Sequence, residues 1–140
     1  MANIEYDASD PLMLVVCLKA SAPDFEIDIF LNRVERAVCD LALPPIALVL
    51  QVTAEGASVL GHRPRIAAWF KRHAHCFNNH AIGTAFVVDS ASAEFALSSL
   101  LLVQRIPGAY TIVDNLGDAK AWVRTEAMNR WRPARAAVGR

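Results

Sequence analysis

The sequence predicts an α/β domain: a five-stranded mixed, mostly parallel sheet, first strand antiparallel, packed with about four helices. Three observations carry this. Two largely apolar runs, residues 46–52 and 81–88, lie between helical patterns, the mark of strands buried on both faces. Apolar residues recur at the helical period in the segments between the runs. The first two apolar segments are joined by a short turn, which pairs them antiparallel, whereas each later pair is separated by a helix. A helix between two strands implies a right-handed parallel crossover.

The elements follow in order. Ile4–Asp7 reads as a short edge strand, and Leu12–Ala20 as a buried one after the Asp10-Pro11 turn. Ser21, Pro23 and Asp24 open a helix over 24–41: Ser21 can cap it, Pro23 suits its first turn and Asp24 its positive end. Ile27, Phe30, Leu31, Val34, Val38 and Leu41 form its apolar stripe, opposed by Asp28, Asn32, Glu35 and Arg36. Pro44-Pro45 ends it and leads into strand 46–52. Residues 53–61 read as a loop with two glycines. A helix over 63–78 carries Ile66, Phe70, His73 and Phe77 inward, and Asn78-Asn79 ends it. Strand 81–88 is followed by a helix over 91–104, capped by Asp89 or Ser90. After the Pro107-Gly108 turn come a last strand, 109–113, and a helix over 115–128, capped by Asp114 or Asn115.

Composition narrows the class. At 140 residues the chain fits one domain, residues 1–130, with a basic tail over 131–140 that is expected to be flexible. It is 54% hydrophobic and 20% charged, enough for a packed core. The apolar runs are too short to cross a bilayer, which takes about 20 residues. Glu5, Asp7 and Asp10 stand where a secretory signal would carry positive charge, so a soluble, cytoplasmic protein is expected. Cys17, Cys39 and Cys76, odd in number and widely spaced, are expected as reduced core thiols. Net charge is zero, but unevenly spread. Residues 1–60 hold nine acidic and three basic side chains, and residues 61–140 eleven basic and five acidic. Such halves suit head-to-tail pairing, an anionic partner, or simply a solvated surface. No recognition helix or RNA-binding aromatic motif accompanies the basic residues, so no nucleic-acid partner is expected.

Several segments carry a resemblance. They are Ala68-Trp69-Phe70-Lys71-Arg72-His73, the strand-to-helix passage Gly83-Thr84-Ala85-Phe86-Val87-Val88-Asp89-Ser90-Ala91, Ala96-Leu97-Ser98-Ser99-Leu100-Leu101, and Ala119-Lys120-Ala121-Trp122-Val123. With the element order, they resemble the STAS-like domains of the anti-sigma-factor-antagonist type. These are small single-domain bacterial proteins, also grouped with a lipid-binding Sec14-like fold. The resemblance implies this fold and a regulatory protein–protein role. In the phosphorylated antagonists an Asp-x-Ser strand end precedes Asp-Ser-Ser-Gly at a helix start. Here those places read Gln51-Val52-Thr53 and Gly56-Ala57-Ser58-Val59-Leu60. The acidic and paired-serine features are missing, so the resemblance does not carry a serine-phosphorylation switch.

Chemistry-bearing residues are few. His73, Cys76 and His80 fall at i, i+3 and i+7, and all three types bind zinc. A fourth ligand is lacking apart from His62, and no metal or cofactor is expected. Cys76 and His80 have the spacing of a nucleophilic pair, but no orienting carboxylate or oxyanion hole accompanies them. No enzymatic activity is expected. Ser58, Arg63 and Arg65 flank a strand-to-helix junction and form a candidate anion-binding loop, with ordinary capping as the plainer reading.

The helix over 91–103 stands apart. Phe95, Leu97, Leu100, Leu101, Leu102 and Val103 cover most of its circumference, more than one sheet-facing stripe requires. It is deeply buried, or forms an interface with a partner or a second copy, or lines an apolar ligand cavity. Phe95, Leu97, Leu101 and Leu102 are therefore the candidate interface. The leading expectation is a protein-interaction module that forms a homodimer. The alternative is a binder of a small lipophilic ligand.

Overall fold

The computed structural model describes residues 3–138, with side chains described as far as Asn129. Five strands form one sheet in sequential order: β1 (Ile4–Asp7), β2 (Met13–Leu18), β3 (Ala47–Val52), β4 (Gly83–Val88) and β5 (Tyr110–Val113). β1 runs antiparallel to β2, and the remaining pairs are parallel. β3 and β4 are interior and almost wholly buried, as their largely apolar runs require.

The helices are α1 (Asp24–Val38), α2 (Ala57–Leu60), α3 (Arg63–Arg72), α4 (Ala74–Asn79), α5 (Ala91–Val103) and α6 (Leu116–Val138). Every parallel crossover steps one strand in the same direction. Right-handed crossovers of constant direction lay their helices on one face. Leu14, Val16, Leu50, Val52, Phe86 and Val88 accordingly share a core with buried residues of α1, α3 and α5. The alternate residues Met13, Val15, Ala47, Val49, Ala85 and Val87 point to the opposite face, where Ala119 and Val123 of α6 meet them. Gly83 permits this close approach, because a Cβ there would lie 2.7 Å from Trp122 Cη2.

Several local expectations need correction. Residues 53–61 are not a plain loop. Thr53 Oγ1 accepts from the Gly56 amide (3.0 Å) and donates to the Leu18 carbonyl (3.0 Å), fastening a turn that buries Val59 and Leu60 in α2. The helix expected over 63–78 is broken at His73 into α3 and α4. Ser21 does not cap α1; Pro23 occupies that position, without a side-chain bond. Ser90 and Asn115 do cap, accepting from the amides of Ala93 (3.1 Å) and Asp118 (2.8 Å). At the other end of the chain, α6 continues as helix past residue 130 to Val138, across the segment expected as a tail. The side chains of Arg130, Arg132, Arg135 and Arg140 lie outside the described residues.

A further correction concerns the cysteines. Cys39, just past the end of α1, is disulfide-bonded to Cys76 of α4, with Cα atoms 5.4 Å apart. Both helices pack on the same face of the sheet, which brings together residues 37 apart in sequence. Cys17 keeps a free thiol.

Part of the uneven charge is paired within the chain. Arg65 bridges to Asp28 (2.7 Å) and Asp24 (3.6 Å), and Arg124 to Asp10 (3.0 Å). Each of these contacts joins the acidic half to the basic half. Such exposed pairs contribute about 0–1 kcal/mol apiece. No helix among the described residues is long and apolar enough to cross a membrane.

Candidate interaction surface

α5 begins where Ser90 ends the extended backbone after β4 and caps the first turn. Its inner stripe is Ala93, Leu97 and Leu100, spaced i, i+4 and i+7, and all three are buried against the sheet. Leu97, at 1% exposure, therefore belongs to the core and not to the outer surface on which the sequence places it. Leu101 is half-buried at the margin of that core. Phe95 (75% exposed), Leu102 (87%) and Val103 (60%) point away from it. Phe95 and Leu102 are seven residues apart, two turns along one side. Ser99 lies between them, and its hydroxyl donates to the Phe95 carbonyl at 2.9 Å, so the middle of the stripe is small and internally satisfied. Glu94 is the one charged residue of the helix.

The edge strand β5 extends the apolar character of this side. Ile112 is opposite Phe86 in register, and Tyr110 is two residues before it, so both project on the helix-bearing face. Both are exposed. The Tyr110 ring meets Phe86 edge-on, with centroids 6.4 Å apart.

Within the helix-side core lies a narrow apolar hollow of about 10 Å³, lined chiefly by Phe30, Leu31 and Val34 of α1 and Ile66, Trp69 and Phe70 of α3, with Leu100 its one residue from α5. That is roughly the space of one water-sized probe.

The candidate anion loop comes apart as a unit. Ser58 is exposed on α2, a single turn. Arg65 is turned to the α1 carboxylates, donating to Asp28 Oδ1 at 2.7 Å and to the Asp24 carbonyl at 3.2 Å. Arg63 is exposed at the start of α3.

The histidine and cysteine cluster also disperses. Cys76 has no thiol to act as nucleophile or ligand, because it is bonded to Cys39. His73 sits at the break between α3 and α4. Its Nε2 is 2.9 Å from Glu35 Oε1, an ion-pair distance, but without the alignment of a formed hydrogen bond. The Trp69 ring lies against it, centroids 4.8 Å apart. His75 Nδ1 lies 3.0 Å from the Asn79 amide nitrogen. Among the described residues no group of three or more His, Cys, Asp or Glu is placed to hold a metal ion. Burial pushes the Cys17 thiol up from its ordinary pKa, and nearby Glu5 adds to this.

Sequence reasoning did not foresee an open groove of about 650 Å³ between α1 and α3. Asp28, Asn32 and Glu35 line one wall and Arg65, Trp69 and Arg72 the other. It arises from the spacing of two packed helices, for which no local pattern exists.

Compared with protein-family models, curated proteins and solved structures, the chain matches none.

Proposed function

We propose that the chain is a non-enzymatic, STAS-like protein-interaction and regulatory module of bacterial type, acting in the cytoplasm, that self-associates through the outer face of α5. One observation carries this reading: Phe95 and Leu102 stand exposed on one side of a helix whose opposite side already completes the core. Such a patch is a liability for a soluble monomer. A two-fold axis across α5 sets Phe95 of one copy against Leu102 of the other, with the small Ser99 near the crossing. Each large apolar side chain so covered contributes roughly 1.5–3 kcal/mol. A different protein partner offering an apolar helix would use the same stripe.

The second reading is a carrier of a small lipophilic ligand. The apolar hollow between α1 and α3, which Leu100 of α5 reaches, favours it by composition. Its size does not, since ligand pockets run to several hundred Å³ and this one is about 10 Å³. Self-association therefore ranks first.

Sedimentation equilibrium and native mass spectrometry on wild type and Leu102→Glu test both readings. The expected result is a wild-type dimer without bound small molecule and a folded, monomeric variant. A wild type that stays monomeric at high concentration removes the self-association reading. A retained lipophile promotes the carrier.

A further inference from the structure

We infer that the Cys39–Cys76 bond is a reversible thiol–disulfide site, opened by an external thiol at Cys39, and that it latches α4 onto the end of α1.

The two cysteines differ in exposure. Cys76 is buried at 9% exposure within the helix-side core. Cys39 follows the last turn of α1 and is only half-buried. An incoming thiolate therefore reaches Cys39 first. Its sulfur bonds to Cys39 Sγ, the Cys39–Cys76 bond breaks, and Cys76 leaves as thiolate. That thiolate takes a proton. The second sulfur of a dithiol reductant then displaces Cys39, leaving two protein thiols and an oxidised reductant. Two electrons pass from reductant to protein.

The reduced state has a place to go. Cys76 Sγ lies 3.6 Å from the Val38 carbonyl, so the thiol formed there has an acceptor already in position. No thiol of the chain competes for the bond. Cys17 follows Met13 and Val15 at alternate positions of β2, on the α6 side of the sheet. Cys39 and Cys76 belong to the opposite side. Burial also holds the Cys17 thiol protonated, and a protonated thiol is a poor attacker. The electrons therefore come from an external thiol.

The effect of opening is local. α4 is six residues long and is separated from α3 by the break at His73. Phe77 anchors it from below, buried at 1% and packed against the rings of Trp69 and Phe70. The disulfide supplies the sideways tether to α1. The next element to respond is the turn before β5, because the positive-φ Gly108 there packs directly on the Phe77 carbonyl. A bond of this kind stays closed in an oxidising compartment and opens in a reducing one. The inference stands apart from the α5 reading, since neither cysteine lies on α5.

Hydrogen exchange with and without dithiothreitol, in native buffer, reads the latch. The amides to follow are Cys39, which donates to the Glu35 carbonyl, and His80 and Ala81, which donate to the Cys76 carbonyl. Their protection is expected to fall roughly tenfold or more on reduction, with β3 and β4 unchanged. The Cys39→Ser/Cys76→Ser double variant should match the reduced pattern in either buffer. Glutathione trapping followed by peptide mass mapping should place the mixed disulfide on Cys39. Three free thiols in air-oxidised protein would overturn the inference. So would a bond that resists dithiothreitol without denaturant, protection that does not change, reduction that unfolds the whole sheet, or glutathione found on Cys76.

Discussion

α1 and α5 perform the same task on the same face of the sheet, yet their outer surfaces differ. Each carries one strand to the next parallel one and buries a stripe of apolar side chains on the helix side of β2–β4. The outer side of α1 holds Asp24, Asp28, Arg33 and Arg36, with Phe25 and Ile29 among them. α5 has one charge there, Glu94, and exposes Phe95, Leu102 and Val103. α1 is fastened at its end by a disulfide and near its start by the Asp24 and Asp28 carboxylates that hold Arg65; α5 is fastened at its start by a capping serine. The inner faces reflect what the fold needs. The outer faces differ because folding leaves them unconstrained, and the apolar excess of α5 is therefore the better guide to a partner.

The inner faces should prove equivalent. Phe30→Ala on α1 and Leu97→Ala on α5 should each destabilise by several kcal/mol, about 3–5 and about 2–5 respectively, read as shifts in urea midpoint. A small loss for Leu97→Ala would return that residue to the surface. The fastenings should then separate the helices. Cys39→Ser should cost about 2–4 kcal/mol in oxidised protein and almost nothing in reduced protein. Ser90→Ala should cost about 1 kcal/mol, the usual worth of a cap, whereas Ser21→Ala should leave the thermal midpoint where it was. The smallest effect on stability belongs to the outer faces. Compared as dilute monomers, Leu102→Glu and Phe25→Glu should each lie within about 0.5 kcal/mol of wild type, as exposed positions do. Only Leu102→Glu should change the sedimenting mass. If both do, or neither does, the contrast between the two helices has no functional content.

Much of the fold was legible because it rests on local patterns. Residues 46–52 and 81–88 are apolar but for Gln51 and Thr84, and only an interior strand makes use of that. Ser90 and Asn115 stand one helical start before periodic segments, and each caps. What escaped depends on where elements meet. The break at His73 carries no glycine or proline to announce it. Cys39 and Cys76 are 37 residues apart, and only the packing of α1 beside α4 makes them neighbours. Leu97 was legible in principle, since Ala93, Leu97 and Leu100 keep the spacing of one stripe. Apolar residues on every side of α5 hid that stripe. The groove between α1 and α3 had no sequence signal, because it is made by the distance between two helices.

The sequential strand order has a consequence for how the molecule is made. Each strand's neighbour in space is its neighbour in the chain, so the sheet can grow one crossover at a time as synthesis proceeds from the N-terminus. One face is roofed as it grows, by the crossover helices themselves. The other face is not. Met13, Val15, Ala47, Val49, Ala85 and Val87 wait for Ala119 and Val123. Until α6 emerges from the ribosome, the nascent protein displays a bare apolar sheet surface. Made after every strand of the sheet, α6 is thus the element that ends this exposure to chaperones and to aggregation.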